Sequence, residues 1–292
     1  MTTTVECAQT EQQQRQDRPA TWPGYLLIGV LIAVLYGYVL YDLGRDWWFE
    51  PSLSQGLLIP PLALFVAWSR RELTLALPAV PDWRGVLLAS VACLFYLAGK
   101  LGAEFFLPRI SFVILLAALV WTFWGVQRLR TLTFPLLLLA TMVPLPSILY
   151  NTISAPLQLL ASDAASRVIE LTGVTVYRDG NMIHLAVITL GVEEACNGLS
   201  SLSTLLVASL LLGFILCSRP AARWFVFLAA VPVAIATNIL RIAGTAWIAD
   251  YRVELALGFY HLFSGWLVFL AGFTGLYATA KISNAILPGA SK

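Results

Sequence analysis

The 292-residue chain is 59% hydrophobic and 12% charged, with a net charge of only +2. A soluble domain carries roughly a quarter charged residues, so this composition excludes an ordinary water-exposed surface. The small net charge says little about partners and leaves the distribution of charge as the informative quantity; no nucleic-acid partner is expected.

Residues 1–22 form a polar, Gln- and Thr-rich tail that reads as disordered. The first apolar run, Gly24 to Tyr41, is too long for a signal-peptide core and has no small-residue cleavage site after it, so it reads as a retained span. Further apolar runs follow at about Leu53 to Trp68, Gly85 to Leu101, Leu107 to Val126 and Leu132 to Leu149. Cys196 to Cys217, Trp224 to Trp247 and Gly258 to Ile282 complete a count of eight. Pro60-Pro61 in the second run, and Pro135, Pro144 and Pro146 in the fifth, predict kinked or broken helices. The predicted fold class is therefore all-α, a polytopic membrane bundle over residues 23–285 with a short tail at 286–292.

Alternate connecting segments differ in basic residues. One set, which includes both ends of the chain, holds eleven Lys and Arg, and the other holds six. The positive-inside rule then puts both termini in the cytoplasm and residues 150–195 outside. Within that insert, Leu157, Leu160, Ala161, Ala164, Val168 and Leu171 recur at helical spacing opposite Gln158, Asp163, Arg167 and Glu170, which predicts an amphipathic helix on the membrane. Val174 to Ile188 places β-branched residues on both sides of Asp179-Gly180, which predicts a hairpin.

Four cysteines, Cys7, Cys93, Cys196 and Cys217, form no CxxC pair and no metal-ligand spacing, so neither a metal nor another cofactor is expected. Cys93 and Cys217 sit in apolar runs, where cysteine acts as a small hydrophobe. Cys196 opens the sixth span. Arg241 lies toward the outer end of the seventh and His261 opens the eighth, so the topology brings all three to the outer boundary. Each has an ordinary structural reading: a core thiol, a snorkelling arginine, a member of an aromatic belt. Together they suit acyl transfer. The thiolate is the nucleophile. His261 is either its base or ion-pair partner and the acid for the leaving group, or a group that orients substrate, and Arg241 is a fixed cation for an oxyanion or a carbonyl. Asn238, three residues before Arg241, is placed to orient it, and Glu194 to satisfy a helix N-terminus.

These strings also carry a resemblance. Val143-Pro144-Leu145-Pro146, Arg178-Asp179-Gly180-Asn181-Met182-Ile183, Glu194-Ala195-Cys196-Asn197-Gly198-Leu199-Ser200-Ser201-Leu202, Asn238-Ile239-Leu240-Arg241-Ile242, and His261 with Gly265 resemble the exosortase/archaeosortase family of membrane transpeptidases. The resemblance implies a Cys196, Arg241 and His261 catalytic set. It implies exported protein substrates that end in a short motif such as Pro-Glu-Pro, a transmembrane helix and a basic cluster. It also implies a bacterial inner membrane, with the active site facing the periplasm. Two positions depart from the usual pattern. Ser54-Gln55-Gly56 stands where relatives often have Ser-His-Gly, so that Gln55 either tunes substrate recognition or marks a subfamily with a variant signal, and Asn197 stands where many relatives have Ser. A transporter or channel using Arg241 as an anion site, and a non-catalytic scaffold in envelope or exopolysaccharide assembly, are the competing readings.

Overall fold

The computed structural model describes residues 22–192, 198–254 and 259–286. The chain opens with α1 (Trp22–Phe49), a 3-10 segment (Pro51–Leu58), α2 (Ile59–Ser69) and the short α3 (Arg71–Ala76). Next come α4 (Arg84–Leu101), α5 (Phe106–Ala140), α6 (Ser147–Leu171) and a small sheet of β1 (Val176–Asp179), β2 (Met182–Leu185) and β3 (Thr189–Gly191). It closes with α7 (Gly198–Leu216), α8 (Pro220–Tyr251) and α9 (Phe259–Ile286). Among the described residues, six helical stretches are long and apolar enough to cross a membrane, and Ser201–Leu216 is a shorter apolar helix.

Large apolar side chains cover the outside of these helices; Val34, Leu64, Phe65, Leu94 and Leu228 are all exposed. Such a surface would be an aggregation hazard in water and is the natural exterior in lipid, where helix contacts rely on small residues and close packing. The buried positions follow that rule. Ala222, Ala230, Ala243 and Ala246 of α8 are fully covered, and α8 packs on α6, α7 and α9.

Prolines and glycines set the breaks. Pro60 and Pro61 fall in the first turn of α2, where a missing N–H costs nothing. Gly125 interrupts α5 with φ 85° and ψ 168°, and a Cβ there would meet the Val80 carbonyl oxygen. The fifth run expected to continue to Leu149 stops at Ala140; Thr141 and Met142 form a turn, and Pro146 caps the N-terminus of α6, which begins at Ser147. Gly56 lets the 3-10 segment lie against the Trp47 ring, and Trp47 Nε1 donates to the Met142 carbonyl at 3.2 Å. The end of α1 is further fixed by Arg109 of α5, only 7% exposed, which bonds Asp42 at 2.8 Å and Asp46 at 2.6 Å.

The hairpin forms as its sequence requires. Asp179 pairs with Met182, leaving Gly180 and Asn181 as a two-residue loop, and Gly180 supplies the positive φ of 61°. The helix before it is longer than expected, and its covered face is different. Ser154, Ala161, Ser162, Ala165, Ser166 and Ile169 are buried, whereas Leu160 and Leu171 point outward. Small residues allow close approach to α8, and the leucines are left for the surroundings. This helix, the sheet and the C-terminal part of α8 share one core that includes Ile169, Ile183, Leu190, Val192, Ile242 and Ala246.

Candidate active site

At one end of the bundle lies an open cavity of about 470 Å³. Four elements form it: the 3-10 segment, the first turns of α7, the middle of α8 and the early turns of α9. Its polar side carries Ser52, Ser54, Gln55, Ser201, Thr204 and Arg241; its apolar side carries Leu58, Leu205, Trp266 and Phe269. Leu58 and Trp266 are exposed, so the cavity has an apolar rim.

Arg241 is the only ionisable side chain among the described residues lining this cavity. It is partly buried, and its Nε is enclosed with no hydrogen-bond partner among the described residues. A Cβ at Gly265 would lie 3.8 Å from the Arg241 guanidinium, so α9 passes beside it at ordinary contact distance. His261 is the third residue of α9, one turn before Gly265. α8 runs to Tyr251, so Arg241 is about 15 Å short of its C-terminal end rather than at the tip of the span. Beyond it, Ile242, Ala243, Ala246 and Ala249 join the core shared with α6 and the hairpin.

Gln55 is fully engaged. Its Nε2 donates to Ser203 Oγ at 2.7 Å, and its Oε1 accepts from the Thr204 hydroxyl. The carboxamide thus ties the 3-10 segment to the first turns of α7. Asn238 faces a separate enclosed space of about 20 Å³ with Ser154 and Gln158; its Oδ1 has no partner among the described residues, and no hydrogen bond joins it to Arg241. Glu194, Cys196 and Asn197 lie outside the described residues. Among the described residues no group of His, Cys, Asp and Glu is arranged to hold a metal ion.

Of the sequence candidates, the structure therefore brings Arg241, Gln55 and the Gly265 turn of α9 to one cavity. It adds residues that sequence reasoning did not assign: Ser52, Ser54, Ser201, Thr204, Trp266 and Phe269. The hydroxyl-rich string Ser200-Ser201-Leu202-Ser203-Thr204 was the available signal, since four hydroxyls in five residues are out of place in an otherwise apolar span.

A largely helical bundle with a lipid-type exterior and long apolar helices defines an integral membrane protein, with Arg241 as the one guanidinium among the described residues that line the cavity. Residues 47–278 match the family described as Transmembrane exosortase, and on that match, which spans most of the chain, the protein belongs to the transmembrane exosortase family. Members are generally cysteine proteases or transpeptidases. No curated protein and no solved structure matches the chain.

Proposed function

We propose that the protein is a membrane cysteine transpeptidase in which Cys196, Arg241 and His261 cleave a C-terminal sorting signal through a thioester. The observation that carries this reading is the position of Arg241: a partly buried guanidinium on a cavity whose other walls are the first turns of α7 and α9. Cys196 precedes Gly198 by two peptide steps, at most about 7 Å of chain, and His261 belongs to the first turn of α9. In sequence the proposed nucleophile thus stands just before α7, whose Ser201 and Thr204 line the cavity together with Arg241.

The thiolate of Cys196 adds to a substrate carbonyl carbon, forming the C–S bond. Arg241 stabilises the developing oxyanion, as a fixed cation in a low-dielectric site does. The C–N bond breaks as the leaving amine takes a proton from His261. An incoming amine or water then gives its proton to His261 and adds to the thioester, and the C–S bond breaks to regenerate the thiolate. Gln55 holds the cavity wall, Asn238 and Glu194 support the site, and Asn197 follows the nucleophile. The chemistry needs no metal or cofactor.

In this reading the chain crosses the membrane eight times. Gly125 divides α5 into two crossings, and Ser201–Leu216 is counted as a short one. Both termini are cytoplasmic, and the hairpin and the cavity face the periplasm of a bacterial inner membrane. The substrate is an exported protein with a short motif, a transmembrane helix and a basic cluster. The test is processing of a tagged substrate by Cys196→Ala: the variant should insert normally and process nothing, and processing at the wild-type rate would remove Cys196 from the mechanism.

A further inference from the structure

At the end of α8 opposite the cavity, two arginines converge on one aromatic ring. The Arg70 guanidinium carbon lies 4.4 Å from the centroid of Phe214, and that of Arg223 lies 5.7 Å from it. Phe134 stacks on the same ring at 3.9 Å, so α5 contributes an apolar platform behind the two cations. Each arginine is held by a backbone carbonyl: Arg70 donates to Thr131 at 3.3 Å and Arg223 Nε to Cys217 at 3.0 Å. Both side chains are partly buried, and among the described residues neither has a carboxylate partner within salt-bridge distance.

This arrangement is electrostatically unfavourable as it stands. Burial and the positive charge of Arg223 both push the Arg70 pKa down. Arg223 also sits in the first turn of α8, whose N-terminus already carries positive partial charge. Two cations and one helix N-terminus, with no carboxylate within salt-bridge distance among the described residues, form a site that lacks its counter-charge. Guanidinium forks match phosphate oxygens, and basic pockets between membrane helices on the cytoplasmic side take phosphate headgroups.

We propose that Arg70 and Arg223, on the Phe214–Phe134 platform, form a binding site for a phosphate-class oxyanion at the boundary of the membrane opposite the cavity. The source is the headgroup of an anionic lipid or free phosphate. The neighbouring aromatic pair favours a ligand with an apolar body as well as a charged head.

The test is native mass spectrometry of the full chain released from nanodiscs of phosphatidylcholine, with and without phosphatidylglycerol. A parallel arm measures Tm in detergent with and without inorganic phosphate. The wild type should retain phosphatidylglycerol over phosphatidylcholine. Arg223→Gln and Arg70→Gln should each cut that retention by about five-fold, the scale expected for one basic residue at a membrane surface. Arg71→Gln, which removes an exposed charge already facing Glu72, should leave it unchanged. If phosphate alone raises Tm in the wild type and not in Arg223→Gln, the site stands and its ligand is the free ion. Equal retention in Arg71→Gln, Arg70→Gln and Arg223→Gln, with no phosphate effect, would overturn the site. Should Arg223→Gln fail to fold, Arg70→Gln alone decides between these outcomes.

Discussion

Arg223 and Arg241 stand on the same helix, 18 residues and so about 27 Å apart, close to the hydrocarbon thickness of a bilayer. Arg223 is splinted by the Cys217 carbonyl and the Phe214 ring beside a second cation. Arg241 lines an open cavity among serines, a threonine and a carboxamide, and its Nε has no partner among the described residues. The same type of side chain is therefore held against a ring and a carbonyl near the start of α8 and faces an open cavity 18 residues further on. What distinguishes them is the setting of the guanidinium: Arg241 lines an open cavity of about 470 Å³ walled by hydroxyls and a carboxamide, whereas Arg223 lies against the Phe214 ring beside a second guanidinium.

The comparison is broken most directly at Arg241. Arg241→Lys keeps the charge and loses the planar fork, so processing should fall by about a hundred-fold with insertion unchanged, the scale of losing one oxyanion donor. The matching change Arg223→Lys keeps a point charge that still attracts phosphate and should preserve most of the phosphatidylglycerol retention. If both lysine variants behave alike in the processing assay, the two arginines do not differ in what they do for the reaction. Next in size, Arg109→Met leaves Asp42 and Asp46 facing each other without their cation and should destabilise the fold by about 3 kcal/mol. A drop in Tm in detergent would register it; an unchanged Tm would mean that α1 is not held by this ion triad.

His261→Ala should lower processing more than Gln55→Ala, because the proposed imidazole moves protons while the Gln55 amide holds a wall together. Equal residual rates would leave His261 without a special role. The smallest effect belongs to Gly265→Ala. Its new methyl would sit 3.8 Å from the Arg241 guanidinium, an ordinary contact, and activity should stay within about two-fold, as for a well-accommodated small change. A large loss would indicate that substrate passes between α9 and Arg241.

Much of the architecture was legible in the sequence because lipid imposes long apolar runs and a hairpin needs a glycine at its turn. Gly180 and the run ending at Leu101 fell where hydropathy and turn chemistry put them. Three features were not legible. The positive φ of Gly125 is set by the close approach of the Val80 carbonyl, a tertiary contact with no local signature. The buried face of α6 is made of Ser and Ala, so a search for leucines selects its outward side. The extension of α8 to Tyr251 depends on the core it shares with Ile183 and Leu190 of the sheet, which a window centred on the apolar run misses. At the site, Arg241 stood out as a cation inside an apolar run. The partners of Gln55 did not, because Ser203 and Thr204 are 148 and 149 residues away in the chain.

The measurement that bears most directly on the central claim is trapping of the acyl-enzyme. A tagged substrate carrying a C-terminal motif, span and basic cluster is co-expressed with the full chain, and the chain is mapped by mass spectrometry. A substrate-derived thioester on Cys196, lost in Cys196→Ala and depleted in Arg241→Lys, is the predicted result. A substrate that is processed with no adduct on Cys196, and at the same rate in Cys196→Ala, would contradict the account.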